Sequence, residues 1–153
     1  MEPLSWAIWD WFSRLGWCPV PQDLRPRVLL ADDHPGILRA FQRLLEPSCE
    51  VVGCVSDGVA LLAAATSLNP DVIVLDVAMP SLDGLAACGR IKRATPRSKV
   101  VVVTAANDAA IREEAFTAGA SGFVLKHRVV EDLHSTIRRA LEEDRPAPSA
   151  AMA

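Results

Sequence analysis

The sequence predicts an α/β fold, a doubly wound open sheet of five parallel strands written (βα)5. Two features of the sequence predict it, namely apolar runs that suit strands and the segments of helical spacing between them. From Arg27 onward, continuous apolar runs rich in β-branched residues alternate with segments of helical spacing, and such runs are typical of parallel strands covered on both faces. The chain has 153 residues, of which 50% are apolar and 23% charged. It can therefore bury one core and has little room for a second domain.

The first two strand and helix pairs lie between residues 28 and 69. Strands are predicted at 28–31 and 51–55, where the residues are mainly apolar. Pro35 suits the first turn of a helix, and helical spacing follows at Ile37, Leu38, Phe41, Leu44 and Leu45. The second helix carries Leu61, Leu62, Ala65 and Leu68. We expect it to end before Asn69-Pro70, because proline disfavours helical backbone in the residue before it.

The other three pairs lie between residues 72 and 143. Strands are predicted at 72–75, 100–103 and 122–125. The third helix begins at an Asp83 cap, and its apolar residues are Leu85, Ala86, Cys88 and Ile91. The fourth helix ends at Gly119, after Ile111, Ala115 and Ala118. The fifth carries Val130, Leu133, Ile137, Ala140 and Leu141.

Two segments are predicted to lie outside the domain of residues 27–143. In the extension 1–26, which holds all four tryptophans, residues 4–17 have the pattern of an amphipathic helix. One interpretation is a helix that docks on a partner or a membrane surface. The other, which we favour, is a mobile extension or an upstream start included by error. A proline-rich linker then leads to residue 27, and the small-residue tail 144–153 is expected to be disordered.

Charge and cysteine content exclude several classes of protein. The net charge is −3 and no basic run is interleaved with aromatic residues, so direct nucleic-acid binding is not expected. The sequence lacks a bilayer-spanning segment and the pattern of a signal peptide, and we expect a cytoplasmic protein. Cysteines at positions 18, 49, 54 and 88 show no C-x-x-C spacing, which favours reduced thiols over a disulfide or metal site.

Polar residues follow four of the five predicted strands. Asp32 and Asp33 follow the first strand, Asp76 the third, Thr104 the fourth and Lys126 the fifth. In an open parallel sheet the ligand site lies at the carboxyl ends of the strands, so these side chains are expected to converge. Adjacent carboxylates repel each other, and partial burial removes their hydration. The set therefore predicts a cation or another positively charged partner beside the carboxylates.

Four segments together resemble a response-regulator receiver domain of two-component signalling. They are LLADDHP from Leu29, VLDVAMPSLDG from Val74, the pair Val103-Thr104, and GFVLK from Gly122. The resemblance runs from about residue 27 to 143 and implies the flavodoxin-like receiver fold. It is closest to receivers that precede a LuxR-type helix-turn-helix output domain, and we expect that output domain to be absent here.

The resemblance implies a role for each strand-end residue. Asp76 is the phosphoacceptor, which takes a phosphoryl group from a histidine of a sensor kinase. Its cofactor is Mg²⁺, held by Asp32, Asp33, Asp76 and the backbone carbonyl of Ala78. Lys126 pairs with a carboxylate before phosphorylation and with a phosphoryl oxygen afterwards.

Thr104 and Phe123 are implied to transmit the modification. Thr104 hydrogen-bonds another phosphoryl oxygen, and Phe123 rotates into the space that this leaves. The surface of the fourth helix, last strand and fifth helix then changes, where a downstream protein, a phosphotransfer protein or a second copy of the chain binds. The protein is not an enzyme in the usual sense, because it catalyses only its own phosphorylation and dephosphorylation.

Neighbouring residues depart from, or add to, this pattern. His34 is interpreted as a neutral imidazole packed at the start of the first helix. His127 stands where many receivers have a proline after the lysine, so the sequence does not indicate a cis peptide there. Ala78 and Ala106, two residues past the acceptor and the threonine, offer no side-chain amide or acid. We therefore expect water access and partners to set the lifetime of the phosphate.

Several alternatives remain open beside a single-domain receiver. The chain could be the receiver fragment of a transcriptional regulator that has lost its DNA-binding domain, or a static interaction module that is not phosphorylated. The complete set of acids, threonine and lysine disfavours the static module. A phosphatase of the haloacid-dehalogenase type also uses a strand-end aspartate, but Asp76-Val77-Ala78 lacks its second acid.

Overall fold

The strands form a single parallel sheet. The computed structural model describes residues 25–79 and 84–142, and its five strands lie in the order β2-β1-β3-β4-β5. They are β1 (Arg27–Ala31), β2 (Glu50–Val55), β3 (Val72–Asp76), β4 (Lys99–Thr104) and β5 (Gly122–Leu125). The predicted α/β class is confirmed, and each strand bound lies within one residue of the prediction.

Helices follow every strand. They are α1 (Pro35–Leu45), α2 (Gly58–Leu68), α3 (Gly84–Ala94), α4 (Ala109–Thr117) and α5 (Val129–Glu142), with a 3-10 turn at Lys126–Arg128 before α5. Asn69 ends α2 in the left-handed region at φ 51°, and Gly119 follows α4 at φ 110°. Both predicted helix ends are confirmed. The helices end at these positions because asparagine and glycine tolerate positive φ best.

Two predicted buried positions are wrong by one residue. Val130 is 74% exposed, and Val129 is buried in its place. Likewise Ala86 is exposed, whereas Ala87 is fully buried. One residue turns a helix by about 100°, so the buried face depends on where the preceding loop fixes the helix start. For α5 that loop is the 3-10 turn after β5.

The core lies on both faces of the sheet. On one face Val28 and Leu30 pack with residues of α1 and α5, including Phe41 and Leu133. On the other face Leu29 and its neighbours pack with residues of α2, α3 and α4: Leu61, Ala87, Ile91 and Ala115. Each fully buried leucine, isoleucine or valine contributes roughly 1.5–3 kcal/mol of apolar burial. The two layers therefore hold the carboxyl ends of β1, β3, β4 and β5 in fixed positions.

The strand order creates a crevice beside β1. From β1 the chain passes first to β2 on one side and then to β3 on the other, and α1 and α2 lie on opposite faces of the sheet. The loops after β1 and β3 consequently diverge at their carboxyl ends. A ligand site is expected at this point of an open α/β sheet.

Some predictions fall outside the described residues. These are the helix at 4–17, the linker before residue 25, the Asp83 cap and the tail 144–153.

Among the described cysteines, Cys49 and Cys88 are buried, Cys54 is exposed, and all three are free. Burial raises the pKa of the Cys88 thiol to about 11. Within 25–79 and 84–142, no peptide bond is cis, and none of the helices there is long and apolar enough to cross a membrane.

Candidate functional site

Three carboxylates meet at the carboxyl ends of β1 and β3. Asp32 follows β1, and its backbone N–H donates to the Val55 carbonyl at 3.1 Å, which ties the loop to β2. Asp76 is the last residue of β3. The side chains of Asp32 and Asp76 are 1% and 4% exposed, and that of Asp33 is 32% exposed. Two of the three acids are thus removed from bulk water.

Lys126 bridges the two buried acids. Its Nζ donates to Asp76 Oδ2 at 3.1 Å and lies 3.2 Å from Asp32 Oδ2. Burial acts to lower the pKa of Lys126, but the two carboxylates outweigh burial and raise it above its ordinary value. The ammonium group therefore stays charged and offsets part of the repulsion between the acids.

Asp32 is held in its charged form by its neighbours. Burial raises the pKa of its carboxyl. This effect is outweighed by the backbone N–H of His34, which donates at 2.9 Å, and then by Lys126, because both lower the pKa. The net pKa lies below the ordinary value of 3.8. The stability that this carboxylate contributes is present above that ordinary value and is lost as the pH falls through the lower, folded pKa.

The acids retain oxygen atoms with no hydrogen bond. Among the described residues, buried Asp32 Oδ2 and Asp33 Oδ1 have no hydrogen-bond partner, although Lys126 and His34 respectively lie within ion-pair distance of them. One donor atom from each of Asp32, Asp33, His34 and Asp76 lies within 4.8 Å of the others. Carboxylate oxygens suit hard divalent cations. These residues fit a metal ion.

His34 lies in a different environment from the one predicted. Its side chain is 63% exposed rather than packed, and Nδ1 lies 2.9 Å from Asp33 Oδ1 and 3.2 Å from Asp32 Oδ1. The N-cap position before Pro35 has extended backbone, which carries the ring over the acids instead of into the core. The local sequence signal for this placement is the position of His34 directly after the two acids.

Thr104 lies on the strand beside Asp76. Asp76 pairs with Val103 in the β3–β4 register, so Thr104 is one residue beyond that pair. The Thr104 hydroxyl is buried and accepts the backbone N–H of Ala106 at 3.1 Å, as Asp76 Oδ1 accepts that of Ala78 at 3.2 Å. Both alanines are exposed. The predicted acceptor and hydroxyl thus lie at the ends of neighbouring strands, each followed two residues later by a small, exposed residue.

Phe123 is separate from the acids and contacts α4. It is partly buried against the core layer of α2, α3 and α4. The guanidinium carbon of Arg112 lies 5.8 Å from the Phe123 ring centre and 5.9 Å from that of Phe116, within the range of cation–π attraction. Neither Arg112 nor Phe116 was among the predicted site residues, because no local sequence pattern pairs them with β5.

Gly84 has a steric role at the site. A Cβ at this residue would lie 2.5 Å from Val77 Cα and 2.9 Å from the Asp76 carbonyl oxygen. The start of α3 can therefore approach the loop after Asp76 only with glycine there. The sequence predicts no steric role for Gly84, since its close neighbours are evident only in three dimensions.

Comparison with known proteins agrees with this geometry. The family model described as "Response regulator receiver domain" matches residues 28–138. The chain is 36% identical over 116 residues to YxjL of Bacillus subtilis, an uncharacterized transcriptional regulatory protein, covering 74% of this chain and 53% of that protein. It is 34% identical to the response regulator GacA of Pseudomonas aeruginosa, covering 78% and 56% respectively. The chain spans about half the length of the curated relatives it matches.

A solved structure gives the same result. The isolated receiver domain of RcsB from Salmonella enterica serovar Typhimurium, in the presence of phosphomimetic BeF3⁻, is 30% identical, with a TM-score of 0.72 and coverage of 84% of this chain and 97% of that one. The family match extends over most of the chain and includes all five strands apart from Arg27, the first residue of β1. This protein belongs to the response-regulator receiver family of two-component signalling.

Proposed function

We propose that Asp76 accepts a phosphoryl group from a phosphorylated histidine of a sensor kinase. The supporting observation is a buried carboxylate, 4% exposed, at a strand end beside two other acids and a lysine. An oxygen of Asp76 forms the new O–P bond while the N–P bond of the phosphohistidine breaks. The imidazole nitrogen retains the electron pair and is protonated. The resulting acyl phosphate is labile, which suits a reversible signal.

The cofactor that we propose is Mg²⁺. Asp32, Asp33, Asp76 and the backbone carbonyl of Ala78 would hold it, and it would supply positive charge against the phosphoryl oxygens. The chain's own contribution is to keep Asp32 ionised and nearly dry. The Asp32 and Asp33 oxygens that lack hydrogen bonds are available to bind the Mg²⁺ ion.

Lys126 and Thr104 are proposed to bind the product. Lys126 already donates to Asp76. After phosphorylation of that carboxylate, the same ammonium group can form an ion pair with a phosphoryl oxygen. The Thr104 hydroxyl, which accepts the Ala106 N–H, would donate its own proton to a phosphoryl oxygen. Both residues then bind phosphorylated Asp76 more strongly than the free acid.

The proposed output is a change of a protein-binding surface. Movement of Thr104 would draw Phe123 inward and away from Arg112, altering the face formed by α4, β5 and α5. A downstream protein, a phosphotransfer protein or a second copy of this chain would recognise that face. The proposed partners therefore include a sensor histidine kinase and one such protein, in the cytoplasm.

Phosphorylation with a small donor tests this function. Incubation with acetyl phosphate and Mg²⁺ should add one phosphoryl group, stable to acid and labile to base, and Asp76→Asn should abolish the labelling. Asp57→Asn is the matched control. Asp57 follows β2 at the same edge and caps α2 by accepting the Ala60 N–H, a role that asparagine also fills. Full labelling of Asp76→Asn would contradict the assignment of the acceptor, and absence of labelling in the wild type would favour a static interaction module.

A further inference from the structure

We propose that His34 gives this metal site a nitrogen donor, so that Co²⁺, Ni²⁺ and ions of similar preference bind more tightly than Mg²⁺. The inference rests on the proposed metal site, whose carboxylates it extends by one imidazole. A protein of this kind would respond to the divalent ions that are present, and not only to its kinase.

The geometry supports a shared site. His34 Nδ1 lies 2.9 Å from Asp33 Oδ1 and 3.2 Å from Asp32 Oδ1, and the four donor atoms, with that of Asp76, lie within 4.8 Å of one another. Opposed donors around an ion with bonds of about 2.1 Å are about 4.2 Å apart. Small side-chain rotations would therefore bring all four donors to ligand distance.

A second observation points to a cation independently of the histidine. The Asp32 side chain is 1% exposed, and in the described part of the chain its Oδ2 makes no hydrogen bond, although Lys126 Nζ lies 3.2 Å from it. A buried carboxylate oxygen without a hydrogen bond raises the free energy of the folded state. A bound cation would add to the charge of Lys126 at Asp32, which belongs to the same four-residue group as His34.

Ligand chemistry then predicts the preference among ions. Carboxylates, carbonyls and water suit Mg²⁺, whereas imidazole nitrogen suits Co²⁺, Ni²⁺ and Zn²⁺. An imidazole added to a carboxylate site should therefore strengthen the binding of the second group and leave Mg²⁺ affinity nearly unchanged. The His34 ring is 63% exposed, so it can turn toward an ion without disturbing the core.

Removal of the imidazole should leave the fold intact. His34 is the N-cap of α1, but its side chain makes no capping hydrogen bond to the described residues. The backbone provides the contacts that matter there, because the His34 carbonyl accepts the N–H groups of Ile37 and Leu38. The variant His34→Ala keeps those bonds and also the backbone N–H that donates to Asp32.

Titration calorimetry with Co²⁺ alone and Mg²⁺ alone on the full chain tests the inference. His34→Ala should weaken Co²⁺ binding at least about tenfold and change Mg²⁺ binding less than about twofold. The visible absorption of bound Co²⁺ should shift as a nitrogen ligand is lost. His127→Ala is the matched control, since His127 is an exposed histidine outside the four-residue group, and it should affect neither ion.

The outcomes separate this inference from the proposed function. Unchanged Co²⁺ affinity in His34→Ala would overturn the inference, and so would an equal loss of affinity for both ions. If Mg²⁺ binds while Co²⁺ binding does not depend on His34, the histidine role alone fails. If the wild type binds neither ion, the proposed metal site fails with it.

Discussion

The two edges of the sheet differ in how the oxygen atoms of their side chains are hydrogen-bonded. At the amino-terminal edge, buried Ser98 donates to the Pro70 carbonyl at 2.7 Å, and Asp71 accepts the Arg27 backbone N–H at 2.8 Å. At the carboxyl-terminal edge, Asp32 and Asp33 keep oxygens without hydrogen bonds among the described residues. Burial of polar groups therefore does not distinguish the functional edge. What distinguishes it is that the atoms without hydrogen bonds are carboxylate oxygens, which can bind a cation, whereas the atom without a partner at the other edge is the Nε donor of Arg25.

The largest effect should come from Asp33→Ala at the carboxyl-terminal edge. Loss of a metal-binding oxygen should lower the rate of Mg²⁺-dependent phosphorylation by at least about 100-fold. The free energy of unfolding should stay the same or rise by up to about 1 kcal/mol, because one like charge is removed. Labelling with acetyl phosphate and denaturant unfolding measure the two quantities. Retained Mg²⁺ affinity would show that this acid is not a ligand.

The matched variant at the other edge is Ser98→Ala. It removes a buried hydrogen bond and should lower the free energy of unfolding by about 1–2 kcal/mol. Because its bond to Pro70 lies outside the site, the phosphorylation rate should stay within about twofold of the wild type. A large loss of phosphorylation here would end the proposed contrast between the two edges.

Gly84→Ala should lower both the free energy of unfolding and the phosphorylation rate. The added Cβ would overlap the backbone of Val77 and Asp76, so we expect a loss of about 1–3 kcal/mol in stability together with slower phosphorylation. Gly36→Ala is the control, since a Cβ there has no atom of the described chain within 4 Å. Thermal unfolding of both variants decides the matter, and equal stability would refute the steric role of Gly84.

The smallest effect is expected from Ala78→Asn. An amide at this exposed position could orient a water molecule toward the phosphoryl group, and we expect autodephosphorylation to quicken about threefold. Ala63→Asn, at an exposed position of α2, should leave the rate unchanged. Decay of the labelled protein after donor removal measures both rates. An unaltered rate in Ala78→Asn would count against control of phosphate lifetime by water access.

The sequence predicted the strands and the convergence of the carboxylates well, because both follow from local patterns. Continuous apolar runs define buried parallel strands, and parallel strands bring their carboxyl ends together. The failures involve longer-range packing. The buried face of α5 began at Val129 rather than Val130, and His34 turned toward the acids. The contact of Arg112 with Phe123 joins α4 to β5, and no local sequence pattern predicts that these two residues meet.

Chemical trapping of the phosphorylated residue tests the central claim most directly. Borohydride reduces an aspartyl phosphate to homoserine, and peptide mass spectrometry then locates the converted residue. After treatment with acetyl phosphate and Mg²⁺, we expect homoserine at position 76, with Asp32, Asp33 and Asp57 unconverted. Conversion at any of those three residues in place of Asp76, or at none, would contradict the assignment of Asp76 as the phosphoacceptor.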